Sequence, residues 1–300
     1  MEPIPGYALD EGSLILDRSG ALPLIYWPGA PNFGDLLSPW LFEKLTGHKV
    51  SHFRGGVVPL RHSRRIWRKL TEPKAAKLPH YIGIGSIMSR VRDNSVVWGT
   101  GAFGTEQFYQ LNGRAKYHAV RGPLSRQLLL NVGVRVGEIY GDPALLTPYF
   151  FDAPEEKTNE IGVVLRWSED EWLRSSAGDG VKIISLGSDD VEGTLLQMLS
   201  CKRIITSSLH GLIIADAYGI PNAFLASTTP KGGVFKYLDY FASVDKFRKP
   251  VSFDFVTEPL EVENLESRFV FDDREIDFDA DVLLEACPFL KSKSTRSLAT

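Results

Sequence analysis

The stretch TSSLHGLIIADAYGIPNA, Thr206 to Ala223, decides how the whole chain is read. The residues RIIT (203–206) that lead into it form a short apolar strand, and NAFLA (222–226) forms the next one. Between them lie two serines, His210 and an apolar run that Gly219 and Pro221 bring to a stop, the pattern of a helix end. Strand, tight loop, helix and strand make a βαβ unit, the repeating piece of a parallel sheet. His210 therefore stands at the mouth of an otherwise apolar helix. One reading is a serine-capped helix with a hydrogen-bonded histidine near the core. The other is an anion site, since the first helical turn offers free N–H groups at a positive dipole end.

The same rhythm extends in both directions. Strands are expected at 22–27, 80–85, 95–99, 117–121 and 136–141, with helices at 35–47 and 122–133. Pro123 and Gly133 punctuate the second of these helices. After a polar spacer at 151–160, strands at 161–167, 181–187, 203–206 and 222–226 alternate with helices at 169–175, 190–200, over the His210 segment and at 233–244. The expectation is an α/β protein with two parallel sheets: one unit over 1–150, a second over 151–245, and an acidic, irregular extension over 246–300 with one helix at 280–286. In open α/β sheets ligands bind beyond the carboxyl ends of the strands. That rule nominates NFGD (32–35), WGTGAFG (98–104), VRGP (120–123), YGDP (140–143), TSSLHG (206–211) and STTPKGG (227–233).

Composition narrows the classes. Hydrophobic residues make up 43% and charged residues 24%, as in an ordinary globular protein. A formal net charge of −3 argues against a dedicated nucleic-acid binder. Cys201 and Cys287 fit no zinc spacing and point to a reduced, intracellular setting, and no metal-ligand pattern is found among the histidines. No apolar run is long enough to span a bilayer, and MEPIPGYALDEGS is unlike a signal peptide, so the cytosol is the expected location. The segment 54–77 carries eight Lys or Arg against one acid, with Trp67 among them. It reads either as a solvated basic loop or as a peripheral contact with anionic lipid headgroups at the inner face of the membrane. The sequence carries no signal of oligomeric state.

Gly99, Gly101 and Gly104 satisfy G-x-G-x-x-G after a strand, but the segment that follows is a poor helix and the next strand ends in Arg121 rather than an acid. A dinucleotide site is therefore set aside in favour of a glycine-rich loop lining a cleft. Arg121 reads as either a guanidinium fork for a carboxylate or phosphate, or a surface ion pair. Lys236, beside Gly232 and Gly233, is by spacing alone an exposed lysine.

Taken together, NFGDLLSPWLFEKLTG (32–47), YIGIGSI (81–87), VVWGTG (96–101), AVRGPLSRQLL (119–129), YGDPALLTP (140–148), SSLHGLIIADAYGIP (207–221) and FKYLDYFASV (235–244) resemble the polysaccharide pyruvyl transferase family. The likeness is strongest to the bacterial exopolysaccharide ketal-forming enzymes of the succinoglycan and xanthan type, and the pieces occur in family order. The resemblance implies two Rossmann-like domains facing a central cleft, as in GT-B-type glycosyltransferases, with phosphoenolpyruvate as donor substrate and no cofactor. It implies transfer of pyruvate to two hydroxyls of a sugar, on a polysaccharide or lipid-linked oligosaccharide, as a ketal with release of phosphate. It assigns proton transfer to His210 and an anion clamp to Arg121 and Lys236, and it makes Asp35 and Asp142 candidates for activating or orienting the acceptor. Many members carry arginine where this chain has Ser208, so Lys236, Ser207, Ser208 or helix-end N–H groups are expected to supply that contact. The rival expectations are a nucleotide-sugar-dependent glycosyltransferase and a catalytically inactive glycan-binding relative.

Overall fold

A computed structural model describes residues 4–53, 78–152, 156–169, 176–227 and 233–293. Two parallel sheets form its frame. The first contains β2 (Leu22–Ile25), β3 (Val50–His52), β4 (His80–Ile82), β5 (Ser95–Trp98) and β6 (Lys116–Ala119), in the spatial order β3-β2-β4-β5-β6. The second contains β7 (Asn159–Leu165), β8 (Val181–Ser185), β9 (Cys201–Thr206) and β10 (Asn222–Phe224), in the order β10-β9-β7-β8. All pairings within both sheets are parallel. Apolar runs such as IGVVL in β7 are buried on both faces, as parallel strands covered by helices must be.

The helices are α1 (Phe33–Thr46), α2 (Pro123–Asn131), α3 (Val191–Leu199), α4 (Leu209–Ala217), α5 (Phe235–Ser243), α6 (Val262–Arg268) and α7 (Ala280–Glu285). Local chemistry sets their limits. The Asn32 side chain accepts from Gly34 N–H at the start of α1, and Gly47, at φ 74°, closes its end. Pro123 opens α2, and the Asp190 carboxylate caps α3.

Strand order places the ligand end of each sheet. In the first, the chain leaves β2 for one side (β3) and returns to the other (β4), so the reversal falls between β2 and β4. In the second, the chain moves from β7 to β8 on one side and then to β9 on the other, so the reversal falls between β7 and β9. A crevice opens at such a reversal, beyond the carboxyl ends of the strands.

One apolar core runs through both halves, joining Leu22, Phe42 and Trp98 to Val164, Leu195 and Ile213. The chain's last elements pack back onto the first sheet. The Phe289 ring meets Phe42, Tyr81 and Trp98 at centroid distances of 5.5, 5.4 and 6.1 Å, and the Trp98 indole N–H donates to the Leu283 carbonyl. β11 (Leu290–Ser292) pairs antiparallel with β1 (Tyr7–Leu9).

Three expectations need correction. Residues 136–141 form no strand, only an isolated bridge between Val120 and Tyr140, because the ladder ends at β6. The extension past 246 contains a second helix, α6, whose Leu265 is buried against the second sheet's outer core. Glu169 is not helical, and the remainder of the helix expected at 169–175 lies outside the described residues, as does the basic segment 54–77. Among the described residues, no helix is long and apolar enough to cross a membrane.

Candidate active site

Both reversals open into the same cleft, of about 550 Å³. From the first sheet come Trp27, Asn32 and Asp35 after β2, Ser86, Ile87, Ser89 and Arg90 after β4, and Phe103, Thr105, Glu106 and Gln110 after β5. From the second come Arg166 and Trp167 after β7, Leu186 after β8, and Ser208, Leu209 and His210 after β9, with Lys236 from the first turn of α5.

His210 is seated by contacts from both halves. Its ring packs so closely on α1 that a Cβ at Gly34 would fall 2.1 Å from Nδ1. Its Nε2 is buried without a hydrogen-bond partner and lies 3.9 Å from Asp142 Oδ2, which is also buried and unpartnered. Burial, with Lys236 and then Arg121 adding repulsion, lowers the histidine to about 3. Burial lifts Asp142 to about 6, against a hydrogen bond from Ala144 N–H. At neutral pH the pair is therefore an uncharged imidazole beside a carboxylate, held 3.9 Å apart and so beyond hydrogen-bond range.

The two serines at the head of α4 do not cap it. Ser207 donates its hydroxyl to the buried Glu169, and Ser208, the N-cap residue, makes no side-chain capping bond. The helix therefore presents its first turn, with Ser208 and Leu209, to the cleft uncapped.

Lys236 occupies the second position of α5, an unfavourable place for a cation because the helix dipole is positive there. Burial, reinforced by Arg166 and Arg121, lowers it to about 7, with Asp35 and Glu169 opposing. Among the described residues it makes no ion pair, and it rests over Phe103 and Tyr237 at 5.4 and 5.1 Å from their ring centres. Asp35 is raised to about 6 by burial, despite the Asn32 hydrogen bond and the nearby Arg90 and Lys236.

The sequence-based site divides in two. His210, Lys236, Asp35 and Ser208 share the cleft wall, with Asp142 one layer beneath. Arg121, expected as a clamp, is fully buried and off that wall. It bonds Asp239 through Nε at 3.0 Å and Nη2 at 2.9 Å, Ser86 Oγ at 2.6 Å and the Ala102 carbonyl at 2.7 Å. The glycines expected to line the cleft serve this packing. A Cβ on Gly101 would lie 2.4 Å from the guanidinium carbon, and one on Gly99, at φ 95°, would lie 2.2 Å from Pro143. Ser207 is likewise turned inward.

Residue patterns missed Arg166, Glu169, Arg90 and the two cleft tryptophans. Glu169 is fully buried and gathers the hydroxyls of Ser207 and Ser227, while Arg166 Nη1 bonds Ser227 at 2.9 Å. Trp167 ends the expected strand 161–167, so the loop rule, had it been applied there, would have found both Arg166 and Trp167. Among the described residues, no group of three or more His, Cys, Asp or Glu side chains is placed to hold a metal ion.

A family profile described as polysaccharide pyruvyl transferase matches residues 67–229, more than half of the chain. The chain belongs to that family. The matched segment carries most of the cleft, from Ser86 through His210. The chain is also 34% identical over 150 residues to the uncharacterized protein L143 of Acanthamoeba polyphaga mimivirus, covering 48% of this chain and 52% of that protein. The chain thus spans about half the length of the curated relative it matches.

Proposed function

We propose that this protein transfers the pyruvyl group of phosphoenolpyruvate to two hydroxyls of one sugar ring, forming a ketal and releasing phosphate. The observation that carries the reading is the convergence of Lys236, Arg166, His210 and the uncapped head of α4 on one cleft within a family member. A small ligand bearing both a phosphate and a carboxylate suits that concentration of positive charge.

In this scheme a proton adds to the methylene carbon of phosphoenolpyruvate and leaves C2 electrophilic. The first sugar hydroxyl attacks C2 and gives up its proton, which restores the acid. The C2–O bond to phosphate then breaks, the second hydroxyl closes the ring, and its proton leaves with phosphate. His210 is assigned the proton transfer. Burial leaves it uncharged on its own, and the negative charge of bound phosphoenolpyruvate draws a proton onto the His210–Asp142 pair. Lys236 and Arg166 hold the anionic groups, with Ser208 taking part where many relatives have arginine. Arg121 supports the floor instead of touching the ligand. Asp35, raised to about 6, orients the attacking hydroxyl and passes its proton on to His210.

The reading extends to architecture and setting. Residues 1–150 and 151–245 act as acceptor-side and donor-side Rossmann-like domains of a GT-B-type arrangement, with 246–300 as an extension. The acceptor is carried on a polysaccharide or a lipid-linked oligosaccharide at the cytosolic membrane face, where 54–77 meets the headgroups.

Labelled phosphoenolpyruvate with a panel of glycans tests the reaction. The expected result is acceptor-dependent phosphate release and an acid-labile labelled product, both reduced at least about 10²-fold in His210→Ala. Thermal stabilisation by nucleoside diphosphates but not by phosphoenolpyruvate would instead favour a nucleotide-sugar glycosyltransferase.

A further inference from the structure

Two indoles stand in this cleft among its charged and polar side chains. Trp27 follows β2 and Trp167 follows β7, the first strand of each parallel sheet in chain order, so each sits at the reversal of its own sheet. Their ring centres are 5.5 Å apart and their planes differ by 33°. Neither belongs to the apolar core clusters, and Trp167 is 37% exposed. Trp27 is braced from below, since a Cβ on Gly29 would fall 2.3 Å from its six-membered ring. A rigid aromatic surface outside the core, at the ligand end of both sheets, is placed to serve a ligand rather than the fold.

We propose that the Trp27–Trp167 pair is the saccharide subsite, holding a pyranose by its C–H face. The direction in which the sugar faces rests on the pyruvyl-transfer reading. Ketal formation requires two hydroxyls of one ring to reach the same carbon. Hydrogen bonds alone would engage those reacting groups, whereas stacking holds the ring by its apolar face and leaves the hydroxyls free to turn toward Asp35 and His210. The other groups in the cleft suit a sugar better than a nucleobase. Asn32, Asp35, Glu106 and Gln110 supply the carboxylates and amides that pair with neighbouring hydroxyls. Each half of the molecule contributes one indole, so the subsite is complete only when both are in place.

The test uses the full chain and soluble gluco-, galacto- and manno-configured oligosaccharides, titrated by calorimetry and by tryptophan emission. Binding of at least one configuration is expected, weakened roughly tenfold or more in Trp27→Ala and in Trp167→Ala. Trp167→Phe should recover most of the affinity, and stabilisation by phosphoenolpyruvate should be the same in all variants. Wild-type chain that binds no member of the panel would overturn the subsite. So would equal saccharide affinity in wild type and Trp167→Ala, or loss on Trp167→Ala of nucleoside diphosphate binding alone. The two readings fail separately. If saccharide binding depends on the tryptophans while phosphoenolpyruvate neither binds nor reacts, the subsite stands and pyruvyl transfer falls. If phosphoenolpyruvate reacts with a glycan whose affinity ignores both tryptophans, the reverse holds.

Discussion

The place of His210 depends on a residue that performs no chemistry. Gly34 lies in the first turn of α1, where alanine would ordinarily favour the helix, yet its missing side chain is the space the imidazole occupies. Gly34→Ala should therefore leave the fold intact by circular dichroism while lowering turnover toward that of His210→Ala, on the order of 10²-fold. Lys236 offers a second check. Its folded value of about 7 lies below 10.5, so between those values the unfolded chain binds more protons and stability rises with pH. Replacing it with Met should remove that rise, so the stability difference between Lys236→Met and wild type should be larger at about pH 7 than at about pH 10 in urea unfolding. The sequence marked His210 by its place before a helix, whereas spacing alone read Lys236 as an exposed lysine. It could not show that a glycine one helix away makes room for the ring, because sequence spacing says nothing about approach between distant segments.

At the scale of elements, Arg121 and Asp239 join the loop after β6 to α5. The Asp239 carboxylate also accepts from the Ser125 amide and hydroxyl at 2.8 and 2.6 Å, so every partner in this buried cluster is satisfied. Removing one charge strands the other. Arg121→Ala or Asp239→Ala should each cost about 3–5 kcal/mol, with the double variant costing less than their sum, as measured by urea denaturation. This accounts for the misplacement of Arg121 in the sequence-based site. An arginine after a strand, fixed by Gly122 and Pro123, looks the same whether its guanidinium faces a ligand or a carboxylate 118 residues away. Strands were legible where apolar runs are buried on both faces, as in β5, β7 and β9. VGEIYG at 136–141 mixes apolar and polar residues as a strand can, but it lies past the sheet edge and pairs through one bridge alone.

For the molecule as a whole, alternation of strand and helix was enough to indicate two parallel sheets, and strand order then placed both reversals on one cleft. The sequence leads one to expect an extension past 246 packed back on the domains, but the acidic composition of 261–293 masks the few deeply buried anchors that hold it there. Phe289 is the chief one, with no exposed surface and three aromatic neighbours from the first half. Phe289→Ala should cost about 3–5 kcal/mol in unfolding free energy and lower the melting temperature. Because Phe289 is not among the residues that line the cleft, the surviving folded fraction should bind phosphoenolpyruvate as wild type does.

The pairing of β1 with β11 sets Tyr7 beside Ser292. A short covalent link between these two strands would therefore carry little loop-closure cost, since pairing already holds them together.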